Sequence, residues 1–388
     1  MDVGKPISMK IGVDARLLGE SLTGIGRYTF EMSKQFVDEF EKDHQFIFYA
    51  SKKVPITISN RLSDFRFKTS SANSRVERMI WSQTKLPYWA NNDQVDLFWG
   101  PTHRLPNFLS SKIARVVTVH DLVWKYTPET MRKLSLSVEK HLMPSAISQA
   151  DLIIADSEST AEGIRETFPN FKDKVRVVHL GVSEMPKSNG LDSMLKLGIT
   201  KPYILFVGTL EPRKNLARLL ESFSNTSDEI KKSVSLVIVG GKGWGNINLD
   251  EEIKRCNLGQ SVKVLGFVED NQLSTLYSEA LFLAMPSLYE GFGLPILEAM
   301  SFGTPVLTSN VSSMPEVLGS GGIVVNPLSV NEMTGAIETL ILNNDLRTQL
   351  GNNAKIESTK FSWKKAANSA IEIFEEALEI RKSKINSI

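Results

Sequence analysis

Short apolar runs rich in β-branched residues alternate with longer stretches whose apolar positions recur every three to four residues, over most of the chain. In the first half, Ile11–Ala15, Phe46–Ala50, Leu97–Trp99, Arg115–Val119, Leu152–Ala155 and Val175–Val178 read as strands. Helical patterns lie between them at Gly26–Phe40, Arg75–Ala90 and Lys133–Gln149. Several strands are apolar almost throughout, as expected when helices cover both faces of a sheet. Residues 183–201 (SEMPKSNGLDSMLKLGITK) interrupt the alternation with Pro, Gly, Asn and Ser. It then restarts with strands Tyr203–Val207, Leu236–Val239, Val262–Leu265, Leu281–Ala284, Pro305–Leu307 and Gly322–Val325. Helices begin near Lys214, Asn248, Asp270, Leu294 and Val330, and a long one runs from about Trp363 to Lys384. This order predicts an α/β protein with two doubly wound, Rossmann-like parallel sheets. We expect a first domain over 1–185, a linker over 186–200 and a second domain over 201–362. A C-terminal helix at about 365–388 would pack back onto the first domain. Open α/β sheets bind ligands at the C-terminal ends of their strands, so two such edges facing a central cleft would form a two-sided site.

Composition narrows the class. A chain of 388 residues suits two domains. Lys plus Arg number 45 and Asp plus Glu 44, a formal net charge of +1, which argues against a protein that wraps nucleic acid by bulk charge. With 41% hydrophobic and 23% charged residues, wholesale disorder is excluded. Cys256 is the one cysteine, so a disulfide framework and a cysteine zinc site are excluded as well. The start, MDVGKPISMK, lacks the apolar core of a signal peptide, and no apolar run approaches the ~18 residues of a membrane span. We therefore expect a soluble, cytoplasmic protein. Met9 directly precedes KIGVDAR, so residues 1–8 read as a poorly ordered leader or an alternative start.

Five segments carry candidate chemistry. Thr23-Gly24-Ile25-Gly26-Arg27-Tyr28 follows a strand and opens a helix; two glycines there let backbone N–H groups approach an anion, or simply serve a loop needing positive φ. No third glycine follows at dinucleotide spacing. Val119-His120-Asp121 ends an apolar strand, where His120 can meet a ligand or can pair with Asp121 and cap the next turn. Pro101-Thr102-His103-Arg104, at another strand end, lines the same edge or is solvated loop. In Gly208-Thr209-Leu210-Glu211-Pro212-Arg213-Lys214-Asn215, Arg213 can fork onto phosphate oxygens and Lys214 adds a point charge beside a helix N-terminus. The alternative is a solvated charge pair. The strongest segment is Pro286-Ser287-Leu288-Tyr289-Glu290-Gly291-Phe292-Gly293-Leu294-Pro295-Ile296-Leu297-Glu298. Its glycines and Pro295 shape a loop into a helix, with N–H groups of Phe292, Gly293 and Leu294 available to an anion. Glu290 and Glu298 frame it, and carboxylates suit sugar and ribose hydroxyls, although Glu290 alone could be a cap. Cations, N–H nests and carboxylates together are what a nucleotide sugar requires.

SLYEGFGLPILEAMSFGTPVL, with GTLEPRKNL upstream, resembles the retaining glycosyltransferase family 4, which has the two-Rossmann GT-B fold. GVDARLLGESLTGIGRYT, PTHRLP, TVHDL and LVIVGGKGWG resemble its bacterial mannosyltransferase-like branch of polysaccharide and O-antigen assembly, and the resemblance covers about residues 9–380. It implies that Gly24, Ile25 and Gly26 approach the donor diphosphate and that His120 contacts the transferred sugar. Arg213 and Lys214 would bind the diphosphate as it leaves. Glu290 would accept sugar hydroxyls, Phe292, Gly293 and Leu294 would offer backbone contacts, and Glu298 would accept the ribose hydroxyls. Gly266, Phe267 and Val268 would hold the base by main chain. It further implies same-face attack, in which the leaving phosphate takes the acceptor's proton and the protein supplies positioning and electrostatics. No Asp-x-Asp occurs, in keeping with metal-independent chemistry without a cofactor.

The expected donor is GDP-mannose and the expected acceptor a lipid-linked glycan of surface polysaccharide. Residues 52–85 hold Lys52, Lys53, Arg61, Arg66, Lys68, Arg75, Arg78 and Lys85 against Asp64 and Glu77, with Trp81, Tyr88 and Trp89 close by. That surface suits an anionic membrane, on its cytoplasmic face, or a lipid diphosphate acceptor, or is a helix with a packed aromatic side and a solvated charged one. Three other readings stay open: a UDP- or dTDP-sugar donor, a nucleotide-sugar epimerase-like enzyme, and a catalytically silent binding subunit.

Overall fold

The structure is a computed structural model and describes residues 8–18, 22, 24–55, 66–72, 74–186, 194, 196–199, 202–241, 243–244 and 248–387. Residues 1–7 of the expected leader, residues 187–193, 195 and 200 of the expected linker, and Arg61 and Asp64 lie outside the described residues.

The chain divides into two compact units. The first comprises Met1–Leu122, Ser137–Gly181 and Ser362–Ile388; the second comprises Val123–Leu136 and Val182–Phe361. The sequence reading put all of 1–185 in one domain. Residues 123–136 instead pack with the second unit: Tyr126 stacks on Tyr289 at 5.5 Å between ring centroids, and the Trp244 indole donates to the Thr130 carbonyl at 2.8 Å. Those partners lie more than a hundred residues downstream, beyond the reach of local patterning.

In the first unit, β1 (Lys10–Asp14), β2 (Gln45–Ala50), β3 (Arg66–Thr69), β4 (Leu97–Gly100), β5 (Ala114–Val119), β6 (Leu152–Ala155) and β7 (Val175–Val177) form one parallel sheet in the order β3-β2-β1-β4-β5-β6-β7. In the second, β8 (Tyr203–Val207), β9 (Ser235–Val239), β10 (Val262–Gly266), β11 (Phe282–Met285), β12 (Val306–Ser309) and β13 (Gly322–Val325) form another, in the order β10-β9-β8-β11-β12-β13. Each is doubly wound. The order reverses beside the first strand of each unit, at β1/β4 and β8/β11, which opens a crevice at the strands' C-terminal ends.

Central strands are buried along their whole length, which is why they read as continuous apolar runs. The strand missed by pattern is β3, whose sequence RFKT alternates charge at a half-exposed sheet edge. The expected helix Arg75–Ala90 is two, Arg75–Gln83 and Lys85–Asn92. Pro87 has no N–H to donate back along a continuous helix and is accommodated in the first turn of the second one. The final helix, Trp363–Asn386, belongs to the first unit: Phe374 packs on Trp99 and Phe36, and Arg381 and Lys384 reach the buried Asp151 at 2.7 and 2.9 Å.

Candidate active site

At the β8/β11 crevice the chain leaves β8 through Gly208 and makes a 3-10 turn, Pro212–Lys214. Asn215 then turns left-handed (φ 60°) before a helix begins at Leu216. The sequence reading started that helix near Lys214. Pro212 instead fixes a tight turn, and the Asn215 amide pins it by donating to the carbonyls of Pro286 (2.9 Å) and Pro327 (2.7 Å). The result aims Lys214 inward, where it is buried. From β11, the loop after Pro286 delivers Glu290, also buried, whose own N–H donates to Ser312 Oγ at 3.0 Å.

These side chains meet. Lys214 Nζ lies 2.7 Å from Glu290 Oε1, and Arg213 lies 2.6 Å from Glu290 Oε2. Arg213 also donates to the Tyr289 carbonyl and to Glu211 Oε1, both at 2.6 Å. The site is thus two cations and two carboxylates in mutual contact. Burial alone would raise the Glu290 carboxyl, but Arg213 and Lys214 overcome it and hold it at about 2. Burial dominates at Glu211 and pushes its carboxyl above the usual range despite the same cations. Glu211 stood in the quoted segment without a role; only the fold shows that it buttresses Arg213.

Beyond Glu290 the loop enters the helix Leu294–Ser301 through Gly293 at φ 102°, a backbone that side chains other than glycine rarely adopt. The Ser313 hydroxyl ties the loop by donating to the carbonyls of Glu290 and Phe292, each at 2.9 Å. Glu298, on that helix, is buried and accepts from the Tyr277 hydroxyl at 2.8 Å, a partner the sequence did not suggest. Gly266 ends β10 at φ 70° with its carbonyl accepting from the Gly240 N–H at 2.8 Å; Phe267 is exposed and Val268 buried.

In the first unit, Gly24 (φ 51°) caps the helix Ile25–Phe40, and Gly26 lies in its first turn. One turn on, Tyr28 sets its ring edge-on to His120 at 4.7 Å. His120 follows β5 and is buried. Its Nδ1 lies 2.5 Å from Asp156 Oδ2 and its Nε2 2.8 Å from the Pro101 carbonyl. The Pro101 carbonyl accepts, and so does Asp156 when ionised, so the pair of contacts favours a ring that donates from both nitrogens, its charged form. Burial lowers the pKa of His120, yet Asp156 and Pro101 outweigh it and the net direction is upward from 6.5. The sequence reading offered Asp121 as its pairing partner; the ring partner is Asp156, from the end of β6. His103, at φ 61°, accepts the His120 N–H on Nε2 at 2.9 Å, so its own proton sits on Nδ1, 3.6 Å from Glu139. Among the described residues no group of three or more His, Cys, Asp or Glu is placed to hold a metal ion.

Residues 193–357 match the family described as glycosyl transferases group 1, and residues 22–184 match Glycosyltransferase Family 4. The chain belongs to glycosyltransferase family 4. As a family 4 chain it is a glycosyltransferase, with the paired Rossmann-like units of the GT-B fold. It is similar to O-antigen chain mannosyltransferase B of Escherichia coli, 28% identical over 386 residues, which cover 94% of this chain and 99% of that one. The O-antigen chain mannosyltransferase RfbU of Salmonella typhimurium is 27% identical over 348 residues, 84% of this chain and 90% of the relative. The crystal structure of Anabaena HepE in complex with UDP and glucose matches in fold, with a TM-score of 0.72 at 18% identity over 95% of this chain and all of that one.

Proposed function

We propose that this family 4 glycosyltransferase moves mannose from GDP-mannose onto a lipid-linked glycan, with retention of configuration and without a metal, in the assembly of a surface polysaccharide. The observation that carries the sugar is the likeness, along nearly the whole of both chains, to an O-antigen mannosyltransferase. The Arg213–Lys214–Glu290 cluster supports the chemistry. Two cations in the turn after β8 suit a diphosphate leaving group, and Glu290, delivered by the adjacent β11 and held ionised, suits a sugar hydroxyl. The charges are fixed before reaction, the arrangement that stabilises developing negative charge most effectively. Phe292, Gly293 and Leu294 would add backbone contacts, Glu298 would take the ribose, Gly266 to Val268 would meet the base, and Gly24 to Gly26 the diphosphate from the first unit. A lipid-linked acceptor would bring the chain to the cytoplasmic face of the cell membrane.

The test is transfer from GDP-mannose, UDP-glucose and dTDP-rhamnose with and without EDTA, with the anomeric configuration of the product read by NMR. An α-linked mannoside formed in EDTA supports the reading. Turnover with UDP-glucose alone would replace the donor, an outcome favoured by the UDP and glucose in the HepE complex. Nucleotide release that never needs an acceptor would point to the epimerase-like alternative.

A further inference from the structure

The helix Arg75–Gln83 is turned inside out. Trp81 and Ser82 are buried, while Val76, Met79 and Ile80 are 61%, 53% and 56% exposed. Spacing of three and four residues puts those three on one stripe, which in a surface helix normally faces the core. The next helix, Lys85–Asn92, buries Leu86, Pro87 and Ala90 and turns Lys85 outward with Tyr88, which is 66% exposed. The loop carrying Phe108, 70% exposed, is tied to both helices. Its Asn107 N–H donates to Gln83 Oε1 at 3.1 Å, and the Asn91 amide donates to the Phe108 carbonyl at 3.0 Å. Five large apolar side chains therefore stand out from adjoining segments of the first unit.

Charge around them is unbalanced. Lys85, Lys112 and Lys53 are exposed, and the Ala72 N–H bond to the Ser51 carbonyl (2.9 Å) brings the Lys52–Lys53 segment beside the start of the helix. The acidic neighbours are engaged locally. Glu77 closes a capping box on Ser74, and Asp93 accepts from Lys68 at 2.6 Å and from the Tyr49 hydroxyl at 3.0 Å.

We infer that this face docks on an anionic lipid bilayer. Apolar side chains enter the boundary between headgroups and acyl chains, while flanking lysines meet the anionic headgroups; a surface that is both apolar and cationic uses both forces. The aromatic contribution differs from the sequence expectation: Trp81 points inward, and Val76, Met79 and Ile80 take its place. The inference rests on the reading of the acceptor as lipid-linked, which places substrate and enzyme at one surface.

The full chain is sedimented with vesicles of phosphatidylcholine alone and with phosphatidylglycerol added. Binding is expected to the anionic vesicles only and to weaken with salt. The triple variant Val76→Ser/Met79→Ser/Ile80→Ser is expected to lower partitioning about tenfold or more with an unchanged melting midpoint, since the replaced groups are exposed. Lys53→Glu/Lys85→Glu/Lys112→Glu, which leaves the apolar stripe intact, is expected to do the same. Failure of the wild type to bind anionic vesicles, or unchanged binding by both variants, overturns the inference. So does self-association of the wild type that the Ser variant abolishes, which would assign the face to a second copy of the chain. Transfer to a water-soluble acceptor analogue is measured alongside. Transfer without vesicle binding overturns the surface alone, and vesicle binding without transfer overturns the functional reading alone.

Discussion

Replacing Asp156 by Asn keeps the shape of the carboxylate and removes its charge, so it isolates what holds His120 as a cation. The pair is buried, with Nδ1 to Oδ2 at 2.5 Å and the second ring nitrogen committed to Pro101 at 2.8 Å. The charged and titratable groups around the ring are Asp156, the adjacent Asp121, Tyr28 edge-on, and His103 with Glu139 and Arg104 behind it. A charge-assisted bond of this kind contributes about 1.5–3 kcal/mol. The sign follows from the raised pKa. The contribution is complete below the unfolded value of 6.5 and is lost as pH rises through the folded value. In the variant the Asp156 contribution is gone and burial, the largest influence, draws the pKa of His120 down. We expect the first unit to lose roughly 2 kcal/mol at pH 6, with a smaller loss in alkali. Nitrogen-15 NMR of the histidine side chains reads the state directly. The wild type should show two N–H groups on His120 at pH 6, and the variant one. A wild-type His120 with a single N–H at pH 6, or an Asp156→Asn stability loss independent of pH, would refute the reasoning.

Three further outcomes follow from the same structure. Glu290→Gln removes a carboxyl held at about 2 against an ordinary 4.5, which amounts to about 3 kcal/mol at neutral pH. Because that pKa is depressed, the wild type should lose this stability as pH falls from 4.5 towards 2 and converge on the variant, measured by urea titration of the second unit; a gap that persists at pH 2 contradicts it. Lys214→Ala should raise the barrier to transfer by about 2–4 kcal/mol, on the order of a hundredfold in kcat, and a change confined to KM would show that Lys214 only binds. Arg381→Ala leaves Asp151, fully buried, with Lys384 and the Arg115 N–H, and should cost about 3 kcal/mol and speed amide exchange in the helix Trp363–Asn386. Exchange unchanged from wild type would mean that Phe374 and its aromatic neighbours hold that helix unaided.

The two sheets were legible because their strands are buried on both faces and therefore announce themselves as apolar runs. The edge strand β3 was not, since its residues serve solvent as much as the sheet. Site residues carried by local turn chemistry, such as Glu290 before its glycine loop, could be picked out one by one. Their partners could not. Asp156 lies 36 residues from His120, and Glu290 lies 76 from Lys214, separations that only strand order bridges. Asp156 did carry a faint signal, a carboxylate directly after the apolar run Leu152–Ala155. The nearer Asp121 was the natural partner to suspect, and pairing across strand ends displaced it.

The same long-range pairing changes what the second unit's cluster means. Read along the chain, Arg213 and Lys214 are cations for a diphosphate and Glu290 an acceptor for sugar hydroxyls, three separate duties. Folded, they bind one another, and with Glu211 the four charges cancel. Burying any one of them alone would cost several kcal/mol, so each is tolerable because its counter-charge is 2.6–2.7 Å away. Glu290 therefore has two jobs that share an atom set. It keeps both cations aligned at the strand ends, and it stays ionised because they do so. A substitution at Glu290 then disorders the cations that would meet the phosphates as well as removing a hydroxyl acceptor, and the effects of Glu290 and Lys214 variants on catalysis cannot be additive.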